Sequence, residues 1–188
     1  MSSWWDALLG RTKPAKPDLN QLFALPSAAI TLTAATGFGP TGTGSVCFRA
    51  VEGGAFAQVA DEARALIGMS GPVEQSADSY GYTWLLVRHD PDDLGGLVTD
   101  LHAVNDSLEG AGFGPSLLCS LVAFADGSGR RMALVYLYKR GTFYPFAPLA
   151  GERRDNAAEL EVRAALGDEL KIEPDLARWF PLWGAPGL

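Results

Sequence analysis

The chain has little of what neutral-pH chemistry uses. Its 188 residues include two histidines, His89 and His102, and two cysteines, Cys47 and Cys119. Neither pair falls in H-x-x-x-H or C-x-x-C spacing, which argues against a zinc site. There is no G-x-S-x-G elbow to expose a serine nucleophile and no G-K-[ST] to hold a phosphate. A triad assembled in space from distant residues stays open, but no motif favours one. Neither enzymatic activity nor a cofactor is expected. Basic residues are also in deficit, with 15 Lys and Arg against 22 Asp and Glu and a formal net charge of −7. Broad binding to nucleic acid, which needs a net basic face, is not expected. No run approaches the roughly 20 apolar residues of a membrane span, and no apolar leader core is visible. The expected location is cytoplasmic, with peripheral contact at the inner face of the membrane as a further option.

What is present is a globular mix, 47% hydrophobic and 20% charged, of a length that suits one domain. Residues 1–17 read as a separate amphipathic segment. Trp4, Trp5, Leu8 and Leu9 share one helical face, with Arg11, Lys13 and Lys16 close behind. That pattern fits contact with a membrane surface or a partner; the alternative is packing on the chain's own domain.

Residues 18–188 read as a single domain. Asp18 caps a short helix ending at Pro26, and Ala28–Ala34 reads as a strand. Gly37–Gly44 contains G-x-G-x-x-G, but strand residues rather than a helix follow it. A hairpin loop is therefore preferred to a nucleotide site, which stays the alternative. Phe56, Val59, Ala60, Ala63, Leu66 and Ile67 recur at helical spacing. Met69–Ser79 reads as a loop and Tyr80–His89 as a strand. A helix from Asp90 carries Leu94, Leu97, Val98, Leu101 and Leu108 on its buried stripe. Asn105 lies on that stripe too, and is expected to bond loop backbone. Both cysteines sit in apolar strand-like runs and read as buried free thiols, with a disulfide between them as the alternative.

The longest apolar stretch is Leu117–Leu149. Asp126-Gly127-Ser128-Gly129 splits it into the arms of a hairpin, Leu117–Ala125 and Met132–Tyr138. The second arm leaves through Lys139 and Arg140 into Phe143, Tyr144 and Phe146, with Arg153 and Arg154 close by. Cations, rings and prolines interleaved in this way suit a preorganised partner-binding surface. The alternative is that the rings complete the core. A helix, Ala157–Leu166, and an aromatic tail that clamps the core close the chain.

Several of these stretches carry a family resemblance as a set. They are W-W-D-A-L-L-G-R (4–11), D-L-N-Q-L-F-A-L-P-S-A-A (18–29), V-E-G-G-A-F-A (51–57) and Y-G-Y-T-W (80–84). With them go L-V-Y-L-Y-K-R-G-T-F-Y-P-F-A-P (134–148), G-E-R-R-D-N (151–156) and W-F-P-L-W-G-A-P-G-L (179–188). Together they resemble the actinobacterial PspA-associated family PspAB. The resemblance implies a role beside the phage-shock envelope-stress response, linked to PspA and to an HtpX-type membrane protease. It brings no catalytic or binding residues with it.

The expected fold is α+β: an antiparallel sheet of about five strands with two to three helices on one face. The helix–hairpin–helix order is analogous to YbjN and secretion-chaperone folds. The expected function is a non-enzymatic adaptor that binds a protein partner such as PspA. A dimeric, chaperone-like client binder and a small-ligand binder are the alternatives.

Overall fold

The computed structural model describes residues 18–188. After a 3-10 turn, Leu19–Ala24, the elements are α1 (Leu25–Thr36), β1 (Gly39–Arg49), α2 (Gly54–Ile67), β2 (Val73–Ala77) and β3 (Tyr82–Arg88). There follow α3 (Leu94–Gly110), β4 (Leu117–Ala125), β5 (Arg131–Leu137), β6 (Thr142–Phe146), the short pair β7 (Pro148–Leu149) and β8 (Arg153–Arg154), and α4 (Asn156–Leu166). Six strands form one antiparallel sheet in the order β2-β3-β1-β4-β5-β6. The fold is α+β, with one more strand in the main sheet than expected. It has four α-helices among the described residues, against the two to three expected.

The β4–β5 hairpin lies within this sheet. Asp126 builds its turn, accepting the backbone N–H groups of Ser128 and Arg130 and the side chains of both. The Ser128 hydroxyl, together with Arg130, holds the Asp126 carboxyl down to about 2. Gly129 supplies the positive φ that closes the turn.

Strand alternation then divides the core in two. Val46, Phe48, Leu85, Val87, Val122, Phe124, Leu134, Tyr136 and Phe143 point to one side, where all four helices cover them. Cys47, Trp84, Cys119, Leu121, Val135, Tyr144 and Phe146 point to the other, where no α-helix lies among the described residues.

Three segments differ from the sequence reading. Ala28–Ala34 lies in helix α1, not in a strand. Ile30, Thr31 and Thr33 resemble strand residues, but Leu25, Ala28, Ala29 and Leu32 are the buried set and keep helical spacing. Pro26 sits in the first turn of this helix, where its missing N–H costs nothing, and Gly37 caps the far end with φ +80. Within Met69–Ser79 lies the strand β2, whose V-E-Q-S-A carries almost no apolar alternation because it sits at the sheet edge. Thr142–Phe146 is a sheet strand rather than a free exit.

The glycine run stands at the start of β1, so no helix N-terminus follows to meet a phosphate. Its glycines serve close packing instead. A Cβ on Gly42 would lie 2.2 Å from the His89 carbonyl, and one on Gly44 would lie 3.0 Å from both the Leu101 side chain and the Leu121 carbonyl. Buried Asn105 donates to the Ser120 hydroxyl on β4, at 2.9 Å, rather than to loop backbone. In α4 the buried residues are Ala158, Glu159, Val162 and Leu166, while Leu160 is exposed.

His89 fastens the end of β3 to α3. Its Nδ1 lies 2.9 Å from Asp93, which also caps α3, and its Nε2 lies 2.7 Å from the buried carboxylate of Asp100. Burial pulls the His89 pKa down, but the bonds to Asp100 and Asp93 outweigh it, and the net shift is upward from 6.5. The imidazolium therefore adds stability that is fully present below the ordinary histidine value and is lost as pH rises through the raised one. Urea unfolding from pH 6 to 9 should show stability falling across that window, and His89→Gln should flatten the fall. A slope of the same size in His89→Gln would refute the assignment.

Candidate functional site

After α4 the chain turns back and crosses the helix-free face of the sheet. This strap, residues 172–188, begins by sealing the β6 edge. The Phe143 N–H donates to the Lys171 carbonyl at 2.8 Å, and the Glu173 N–H donates to the Phe143 carbonyl at 2.7 Å. The Glu173 side chain is fully buried and accepts from Thr142 Oγ1 at 2.7 Å and Arg140 Nε at 3.3 Å. Burial pushes the Glu173 carboxyl up, but these bonds outweigh it, and it ionises below the usual range. Trp179 donates its indole N–H to the Glu173 carbonyl and stacks on Tyr144, with ring centres 6.2 Å apart. The Tyr144 hydroxyl donates to the Phe180 carbonyl, and Trp183 meets Phe146 edge-on. The strap ends over β1, where Ser45 and Thr43 donate to the carbonyls of Pro186 and Gly187.

The strap does not cover the whole face. Between it and the loop 78–81 runs a groove of about 1070 Å³. Cys47, Trp84, Cys119, Leu118, Leu137 and Tyr144 line it, drawn from strands β1, β3, β4, β5 and β6. Ser76 and Ala77 of β2 extend it across all six strands, roughly 24 Å at about 4.8 Å per strand. Asp78 fixes the near wall by accepting the Trp84 indole N–H at 3.0 Å and the backbone N–H groups of Tyr80 and Tyr82. Two rings stand at the margins, Tyr80 at 80% exposure and Phe180 at 56%. Lys139, Arg140 and Arg178 also line the groove. Arg140 pairs with Glu173 and Arg178 with Asp175, whereas Lys139 makes no ion pair among the described residues.

The exit surface read from the sequence must be corrected on its rings. Phe143, Tyr144 and Phe146 are 0%, 1% and 0% exposed. The physical reason is that β6 is covered on both faces, by helices against Phe143 and by the strap against Tyr144 and Phe146. Arg140 is tied to Glu173. Arg154 bonds Glu159 and the Trp179 carbonyl and lies over the Phe146 ring. Lys139 and Arg153 remain exposed. Trp4, Trp5, Leu8 and Leu9 lie outside the described residues. The sequence reading recognised the tail as a clamp but not the opening beside it. Its lining comes from all six strands of the main sheet, and only the register between strands brings those residues together.

The groove holds no activated nucleophile. Cys47 and Cys119 face one another across β1 and β4 as free thiols. The contact with Cys119, then burial, pushes Cys47 upward, so it stays a thiol. Among the described residues no three His, Cys, Asp or Glu side chains gather as metal ligands. What the arrangement offers is an apolar floor, two exposed rings and an unpaired cation. It defines an α+β domain with an open groove beside an aromatic strap. The chain belongs to the PspAB family, PspA associated protein B, whose family model matches residues 2–187. No curated protein and no solved structure matches the chain.

Glu173→Ala should lower stability by about 1–3 kcal/mol in urea unfolding, because it leaves the buried Thr142 hydroxyl without its acceptor and frees the strap's first turn. Proteolytic nicking within 174–188 should accelerate with it. A variant as stable and as resistant as wild type would show that the strap is held elsewhere.

Proposed function

We propose that the chain is a non-enzymatic adaptor in the phage-shock envelope-stress response, and that it holds a segment of PspA in the groove. Membership of the PspA-associated family supports the choice of partner. The observation that carries the site is the open groove itself, with an apolar floor and exposed Tyr80 and Phe180 at its margins. Exposed aromatic side chains beside a desolvated floor are the usual anchors of a protein contact. Unpaired Lys139 favours a segment that carries an acidic residue beside its apolar ones.

The sequence had assigned this role to the rings of the β5–β6 exit. In the revised reading Tyr144 moves to the groove wall, Lys139 keeps its part, and Phe143 and Phe146 act as core. Arg153 and Arg154 lie outside the groove lining.

Isothermal titration of PspA into the full chain tests the proposal. Combined Tyr80→Ala, Phe180→Ala and Lys139→Glu should weaken binding about a hundredfold, the loss of roughly 2–3 kcal/mol expected of a hot-spot cluster. Arg153→Glu should leave it unchanged. Equal binding by wild type and the triple variant removes the groove from the contact. Capture of an HtpX-type membrane protease but not PspA would reassign the partner.

No helix among the described residues is long and apolar enough to cross a membrane. For the N-terminal face we propose a peripheral membrane contact at the inner face, on the strength of tryptophans beside cations. Co-sedimentation with anionic liposomes should fall for Trp4→Ala/Trp5→Ala. Equal pelleting of the two proteins rules the contact out.

A further inference from the structure

The two edges of the sheet are finished differently. The β6 edge is sealed by residues 171–173 of the strap. The β2 edge is open: its five residues pair with β3 on one side, and the strand heads the sheet order with no neighbour beyond it among the described residues. Four of the five are exposed. Proteins usually blunt such an edge with a very short strand, charged side chains (lysine above all), proline or a bulge; here the one charge on a five-residue strand, Glu74, is offset by Arg88. The strand V-E-Q-S-A has no lysine and no proline, and its register with β3 runs without a shift.

We propose that β2 is a dimer edge at which a second copy of this chain continues the sheet, antiparallel and centred on Gln75. A two-fold axis perpendicular to the sheet gives antiparallel pairing and keeps like faces together. The pleat then requires even residues opposite even and odd opposite odd, since a shift by one would set core-side residues against strap-side ones. Three centred registers keep most of the strand paired. Centring on Glu74 sets Glu74 against itself. Centring on Ser76 sets Glu74 against Asp78 twice. Centring on Gln75 pairs all five residues, with Glu74 opposite Ser76 and Val73 opposite Ala77, and opposes no like charges. Arg88 beside Glu74, at 3.2 Å, leaves the edge locally near neutral despite the chain's net charge.

A second observation agrees with this register. Among the described residues the two most exposed large apolar side chains are Met69, at 86%, and Tyr80, at 80%. They flank β2 before and after, and antiparallel pairing about Gln75 brings the Met69 segment of one copy toward the Tyr80 segment of the other. The same two-fold sets both grooves on one side of the joined sheet. Ser76 and Tyr80 also line the groove, so the dimer is measured without PspA present, and a failure of PspA binding leaves that measurement untouched.

Sedimentation equilibrium of the full chain tests it, with Ser76→Glu and Ser76→Lys. Ser76 is exposed, and far-ultraviolet circular dichroism checks that each variant folds as wild type does. Wild type should dimerise reversibly at concentrations up to about 200 μM, within the weak range that dissociation constants near the micromolar scale describe. Ser76→Glu creates two acidic pairs across the two-fold and should weaken the dimer about tenfold, whereas Ser76→Lys creates two Lys–Glu pairs and should tighten it by several-fold. A wild type that stays monomeric throughout overturns the proposal. So does any result in which Ser76→Glu fails to dissociate more readily than wild type, or wild type more readily than Ser76→Lys.

Discussion

The structure depends on how a sheet with two apolar faces is kept dry when the four described α-helices lie on one side. Leu121, Val135, Tyr144 and Phe146 project away from the helices and would otherwise meet water. The strap solves this with two large rings and one buried carboxylate. Trp179 and Trp183 supply apolar area over Tyr144 and Phe146. Stacked or edge-on pairs of this kind add about 0.5–1.5 kcal/mol each beyond the area they bury. Glu173 supplies direction. Its carboxylate is held by Thr142 and Arg140, and its backbone joins both Phe143 and Trp179, so the strap starts in one register. A buried charge paired in this way adds little stability over an apolar substitute, but it is costly to leave half-made.

Much of this was legible in the residues. The hairpin from Leu117, the stripe of α3, that of α2 apart from exposed Leu66, and the clamp at Trp179 follow from periodicity and turn chemistry, which are local. The misses share one cause, which is that burial is decided by neighbours distant in sequence. Val73–Ala77 looks like a loop because an edge strand need not alternate. Phe143, Tyr144 and Phe146 look like a docking surface because cations and prolines surround them, yet each is covered by an element that is remote in the chain or comes later. Arg140 and Arg154 look free because their carboxylates, Glu173 and Glu159, are tail- and helix-borne, respectively. The groove could not be read at all, since its walls, the 78–81 loop and the strap, are distant in the chain and meet only through strand order.

The family assignment and the architecture bear on one another. A protein named for its association with another needs surface that its own fold leaves unsatisfied. Among the described residues such surface includes the places where the strap stops short and where β2 ends the sheet, beside scattered exposed side chains such as Ile30, Leu66 and Leu160 on the helices. Both places lie away from the helical layer, whose sequence shows an ordinary apolar stripe. The glycine run that imitates a nucleotide motif belongs to the fold rather than to either place, because Gly42 and Gly44 let β1 approach His89 and α3 closely.

The order in which the chain is made gives the strap a further meaning. Translation delivers every strand of the main sheet before residues 172–188. A nascent chain can therefore pair its strands and dock its helices while the opposite face is still wet. During that interval Tyr144, Phe146 and Leu121 are open to any holdase near the ribosome. Maturation is complete only when Trp179 reaches Tyr144, which makes the closing of this layer a late step in biogenesis.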